Sequence, residues 1–282
     1  MSSRAPRPRG VDFLINWSMG SWSEERVLDA INSTGKYVAF RYGVSRVGPF
    51  TFEEFTKYYE RLKRAYLHGK RPDLIVFDVD ILRGLTPSET QLLSNLMDVS
   101  NGEADPVVKK ALFGVEVEVS RWHVGKMIEY QKKHRATSII GPTFTIKEED
   151  LRPLITWMKD FSKEVLVVQT FYDRVYAIPF SKALVLIRGT DKGIKPQGVR
   201  KRKDPKTKKV TYFISCLRYG VLFGEFDPTP SIEGGALIDD MGQVWPMINF
   251  INGKLNMTEG ARKLIDEIAK KGMSHPDVVK VF

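Results

Sequence analysis

The sequence predicts an α/β protein with a basic β-hairpin arm. Three observations lead there. Over residues 20–190, short runs rich in Val, Ile and Phe alternate with longer amphipathic stretches, the pattern of strands alternating with helices. Two of those runs, Leu74-Ile75-Val76-Phe77 and Phe113-Gly114-Val115-Glu116-Val117-Glu118-Val119, carry acids at or inside segments of a kind that avoids them. The stretch 189–209 instead crowds Lys and Arg around a turn sequence, Asp204-Pro205-Lys206-Thr207.

Each element follows from its own signals. Ser23 reads as the N-cap of a helix that opens with Glu24 and Glu25 and lays Val27, Leu28 and Ile31 on one face, with Gly35 as its stop. Residues 36–43 read as a strand. A long amphipathic helix is expected over 51–68 from Phe52, Phe55, Tyr59, Leu62 and Tyr66, ending at Gly69. The Asp73 strand follows. Thr86 and Pro87 cap a helix over 86–99, and residues 101–106 read as a polar turn. After the Glu116 strand, helices are expected over 122–134 and 147–163. Strands are expected over 165–171, 175–180 and 183–187. The basic hairpin spans 198–213, and a capped helix runs from Thr258 to Lys271. No repeat or sharp linker interrupts the chain, so the expectation is one domain over 1–282, with its core in about 20–190 and appended elements in about 191–282.

Composition narrows the function. The chain has 282 residues and 42% hydrophobic content, yet no apolar run nears the ~18 residues of a membrane helix. Residues 1–9 form a basic arm without the apolar core of a signal peptide, so a cytoplasmic location is expected. Cys216 is the lone cysteine, which excludes an internal disulfide and a cysteine zinc site, and the four His show no metal-ligand spacing. A net charge of +10 points to a polyanionic partner, most simply nucleic acid.

The acids in the apolar runs carry the chemistry. An unpaired carboxylate in an apolar layer is costly, and two such strands side by side could hold a divalent cation. Mg²⁺ takes oxygen ligands, often one or two carboxylates, and can polarise a phosphodiester and activate water. A period of two puts Glu116 and Glu118 on one face. Structural roles stand beside these. Asp73 could cap the strand entry, Glu116 and Glu118 could line a solvent-facing edge, Glu25 could serve only the helix dipole, and Lys126 could be a surface lysine. Asp78 and Asp80 compete with Asp73 as the metal acid. The five Trp read as packing.

Taken in order, Gly20 with Glu25-Arg26, Pro72-Asp73 and Glu116-Val117-Glu118 resemble the PD-(D/E)xK nuclease superfamily over residues 20–135. The resemblance implies a PD-(D/E)xK core with a mixed central sheet flanked by helices, in which the helix over 86–99 is an insertion. It also implies that Asp73 and Glu116 bind Mg²⁺ and that Glu25, with Glu24 as the alternative, completes the site. Glu118 stands where the family usually has Lys. It would act on the water as base or ligand, with Lys126 able to supply the missing ammonium. The run from Glu116 to Trp122, with Gly125-Lys126, Glu129-Tyr130-Gln131 and Pro142 to Ile146, looks like the AccI-type restriction endonucleases. That likeness implies a Mg²⁺-dependent type II enzyme cutting double-stranded DNA at a short palindromic site as a homodimer. Arg200, Lys201, Arg202, Lys203, Lys206, Lys208 and Lys209 of the hairpin would contact the DNA. A junction resolvase or repair nuclease, and an inactive nucleic-acid-binding protein, remain as alternatives.

Overall fold

Val11–Asn32 forms one long helix, α1, in the computed structural model on which this description rests. The described residues are 11–43, 70–99, 101–134, 139–194, 196–238, 242 and 244–282. The expected basic arm (1–9) and the expected helix over 51–68 lie outside them. Ser23 is not an N-cap but a buried residue within α1. The apolar stripe of the helix continues upstream of it through Met19 and Trp22, both buried, so the helix has no reason to start at Ser23.

Seven strands build the main sheet: β1 (Tyr37–Arg41), β2 (Leu74–Asp78), β3 (Phe113–Val119), β5 (Val165–Thr170), β6 (Arg174–Pro179), β9 (Val221–Phe226) and β12 (Leu255–Met257), in the order β1-β2-β3-β5-β6-β9-β12. The β3–β5 pair is parallel and the other pairs are antiparallel, so the sheet is mixed. A parallel pair needs a crossover. Here it comprises α5 (Val124–His134), β4 (Thr143–Lys147) and α6 (Glu148–Phe161).

Alternation along the strands divides the core into two layers. Leu74, Val76, Phe113, Val115, Leu166 and Val168 face α1 and α9 (Glu259–Lys271). Ile75, Phe77, Val165 and Val167 face the other way, onto α6 and α7 (Phe180–Asp191). Between β2 and β3 lie the short helices α2 (Val79–Arg83), α3 (Pro87–Ser94) and α4 (Asn101–Val108). The first half of the expected 86–99 insertion is therefore a helix with a full capping box at Thr86 and Glu89. The expected turn at 101–106 is instead part of a helix.

Residues 183–187, expected as a strand, lie within α7. Phe180, Ala183, Leu184 and Ile187 are all buried, and their spacing is that of a helix face. The basic hairpin forms as β7 (Val199–Lys203) and β8 (Val210–Ser215), and β8 also pairs with β4. Asp204 closes the turn by accepting hydrogen bonds from the Lys206 and Thr207 N–H groups at 2.9 and 2.7 Å. A four-residue helix, α8 (Cys216–Tyr219), leads into β9. A second hairpin, β10 (Ser231–Ile238) with β11 (Val244–Ile251), packs beside α1. The chain continues past α9 into α10 (Pro276–Lys280). Among the described residues no helix is long and apolar enough to cross a membrane.

The segment leading into β2 is tightly held. The buried Arg71 donates to the carbonyls of Leu96 and Val99, both at 2.7 Å, and lies over the Tyr42 ring. Tyr42 and Gly43 N–H groups both donate to the Asp73 carbonyl. Pro72 sits on Gly114, where a Cβ would meet Pro72 Cγ at 2.7 Å and the Trp157 ring at 3.1 Å. Gly114→Ala is therefore expected to cost about 1–3 kcal/mol of overpacking, read as a lower urea midpoint. An unchanged midpoint would mean that Pro72 shifts freely and does not fix Asp73.

Candidate active site

Asp73 precedes the ladder between β2 and β3, which begins at Leu74 opposite Val115. Its Oδ2 accepts from the Val117 N–H at 2.8 Å, so the carboxylate is pinned beside β3. Glu116 and Glu118 point from β3 toward the layer of α6 and β4. The residues lining this pocket include both glutamates, Lys147, Asp150 and Phe180.

Ion pairs link the acids in a chain. Lys70 Nζ donates to Glu116 Oε1 and lies 3.1 Å from Asp150. Lys147 Nζ donates to Glu118 Oε1 at 2.9 Å and lies 3.9 Å from the same Asp150. Lys147 ends β4 where the chain turns into α6, and its side chain makes no cap hydrogen bond, leaving it directed to Glu118. Gln169, opposite Glu118 on β5, accepts the Thr145 N–H at 2.9 Å and so ties β4 over the sheet.

The electrostatics are those of crowded carboxylates. Burial, together with Glu24 and Glu118, pushes the Asp73 carboxyl up to about 7, against the pull of Lys70 and the Val117 N–H. Burial and the neighbouring Asp73 push Glu116 well above the usual carboxylate range. Burial opposes the Lys70 and Lys147 ammoniums, but the surrounding acids outweigh it and raise both. Glu116 Oε2 is buried without a hydrogen-bond partner among the described residues. It is an acceptor in a carboxylate group whose other oxygen already holds an ammonium.

The structure brings Asp73, Glu116 and Glu118 together and leaves two other expected residues outside. Glu25 has its side chain 43% exposed and lies 3.6 Å from Arg26. Glu24, one position earlier, is buried, raises the Asp73 carboxyl and lies 3.5 Å from Arg41. One residue is 100° of helix rotation, enough to turn a side chain from the sheet to solvent. Lys126 is exposed on α5 and, among the described residues, takes part in none of the ion pairs of the acids. Asp78 caps α2 through the Asp80 N–H, and Asp80 pairs with Arg83 at the surface, so neither competes with Asp73.

Lys70, Lys147 and Asp150 were missed by the sequence reading. Lys70, three residues before Asp73, carried no signal beyond its nearness. Lys147 and Asp150 sit at a strand-to-helix junction that nothing local marks as part of a site.

Two carboxylates, Asp73 and Glu116, the second with an unpartnered buried oxygen, fit one Mg²⁺ ion, which commonly takes one or two carboxylates from a protein. Among the described residues no group of three or more His, Cys, Asp or Glu side chains is arranged to hold a metal ion. In the hairpin, Lys201 is tied to Asp191 at 2.9 Å and Glu148 at 3.4 Å, and Lys209 to Glu149 at 2.8 Å. Arg200 stacks over the Phe213 ring.

A mixed sheet with helices on both faces and a crowded acid–lysine cluster at the β2–β3 junction is consistent with the restriction-endonuclease class. The model of the AccI restriction endonuclease family matches residues 2–141. Over that stretch, just under half of the chain, the sequence is similar to the AccI restriction endonucleases. The matched span contains Glu24, Lys70, Asp73, Glu116 and Glu118, and ends before Lys147. No curated protein and no solved structure matches the chain.

Proposed function

We propose that this chain is a Mg²⁺-dependent type II restriction endonuclease that hydrolyses phosphodiester bonds of duplex DNA at a short palindromic site. The observation that carries this reading is Glu116 Oε2, buried and unpartnered beside an Asp73 whose carboxyl is pushed up to about 7. The protein acts as one nuclease domain on a PD-(D/E)xK core, in the cytoplasm. Two-fold symmetric sites call for a symmetric dimer, so it works as a homodimer.

In this reading Asp73 and Glu116 hold the metal. When bound, Mg²⁺ supplies charge to the phosphate oxygens and lowers the pKa of water. Lys147 takes the place of the family's lysine. Its ammonium lies at Glu118 although it comes from another strand, which speaks against a decayed site. Glu118 accepts the proton of the attacking water, and Lys147 orients that water and the phosphate. Lys70 holds Glu116 in place through Oε1 and leaves Oε2 open. The hairpin adds phosphate contacts.

The test is digestion of a long duplex with Mg²⁺. Discrete bands are expected. A smear would indicate an unspecific nuclease, preferential cutting of branched junctions would indicate a resolvase, and no cutting with Mg²⁺ or Mn²⁺ would sink the proposal.

A further inference from the structure

The three-stranded sheet β4-β8-β7 has two unlike faces, set by its register. Partners across neighbouring strands share a face. Lys147 pairs with Thr211 and Thr211 with Arg202, while Thr145 pairs with Phe213 and Phe213 with Arg200. These two rows form the open face, and a groove runs over it. On the opposite face Phe144, Ile146, Tyr212 and Ile214 are buried in the core, and Lys201 lies there with them. Its ammonium is held by Asp191 and Glu148 over the Tyr212 ring. Lys203, two residues on, shares that side.

We propose that duplex DNA lies across the open face, with Arg200 and Arg202 as its phosphate contacts, and that Lys201 and Lys203 on the back of the hairpin take no part in binding. The proposal rests on the reading that duplex DNA is the substrate. Charge supports it. Arg202 is exposed and makes no ion pair among the described residues. The acids in the groove are both engaged, Glu149 by Lys209 and Asp204 by the turn N–H groups. Continuity supports it as well. The first row starts at Lys147, which donates to Glu118 of the acid cluster, so a backbone lying on this face reaches the cluster without a turn. Two strand spacings, about 10 Å, separate Lys147 from Arg202. Neighbouring phosphates of one duplex strand lie roughly 7 Å apart in space, because each step combines a rise of about 3.4 Å with helical rotation, so Arg202 meets a phosphate about one or two nucleotides from the cut.

Salt dependence of duplex binding by the full chain in EDTA tests this. Arg200→Gln with Arg202→Gln is expected to lower the slope of log K against log salt by about 1.8, and Lys201→Gln with Lys203→Gln to leave it unchanged. Arg200 also packs on Phe213, so the front pair could perturb the hairpin. Thr211→Lys guards against that reading, because it adds a cation to the same face and is expected to tighten binding and raise the slope by about 0.9. A neutral methylphosphonate placed about one or two nucleotides from the mapped cut should weaken the wild type more than the Arg202→Gln variant. If the back pair lowers the slope as much as the front pair, or if Thr211→Lys does not strengthen binding, the assignment of the face is overturned while cleavage by the wild type keeps the nuclease reading alive. A wild type that neither binds nor cuts duplex DNA overturns both.

Discussion

Asp73→Asn and Glu116→Gln each lower the rate of DNA cleavage by roughly 10³-fold or more, about 4 kcal/mol of barrier, while duplex binding stays within a few-fold. The reason is division of labour. In the proposed mechanism the two carboxylates would hold the Mg²⁺ that serves the reacting phosphate, whereas most of the affinity comes from cations meeting the phosphate backbone. The same substitution at Asp73 has a second, independent signature in stability. The folded protein raises this carboxyl to about 7 through burial and the nearby Glu24 and Glu118, so the folded state holds a proton that the unfolded chain releases near pH 4. Ionising Asp73 therefore destabilises the fold, and the loss grows as pH rises from about 4 to about 7. Asp73→Asn removes that titration. The variant should gain on the wild type by something on the order of 1–3 kcal/mol above pH 7 and by little below pH 4. Urea unfolding at both pH values reads this directly. Cleavage near the wild-type rate would remove Asp73 from the active site. An equal stability difference at both pH values would mean that its carboxyl is not enclosed as described.

Lys147→Ala is expected to cost at least about 10²-fold in the single-turnover cleavage rate, the usual scale for a positioned acid–base group, and Lys126→Ala less than about twofold. Measuring with DNA already bound separates this from affinity. The partner experiment is Glu118→Lys. It restores the family's usual residue, yet it places a second ammonium against Lys147 and removes the carboxylate that Lys147 donates to at 2.9 Å, so activity should fall severely. Exchanging the two charges, Glu118→Lys with Lys147→Glu, keeps one ammonium and one carboxylate in the same space and should recover part of what either single change loses. A silent Lys147→Ala, or a loss at Lys126 of the same size, would show that the ammonium comes from somewhere other than β4.

How much of this was legible depended on whether the signal was local. The strand around Ile75 and the strand around Val117 were readable because a short β-branched run has few other uses, and an acid inside one stands out against it. The hairpin was readable from its turn chemistry, since Asp204 bonds its own backbone two and three residues on. Residues 183–187 were misread because five apolar residues fit either period. Only the packing of Phe180, Ala183, Leu184 and Ile187 on one side decides for a helix.

The sequence by itself determined the alternating α/β pattern, the basic charge, the strand that follows Asp73 and the strand that carries Glu116 and Glu118, and the existence of a cationic hairpin. Each is a property of neighbours along the chain. The tertiary structure alone decided that Glu24 rather than Glu25 faces the cluster, because that is the rotational phase of α1, set by Met19, Trp22 and Val27 packing on the sheet. It alone brought Lys147 to Glu118, because β4 is carried over β5 by a crossover and held there by Gln169. It alone divided the hairpin cations between two faces, because register with β4 and burial of Tyr212 and Ile214 choose which side of β8 meets the core. Long-range pairing is fixed by the burial of whole faces, and no short window of sequence contains that information.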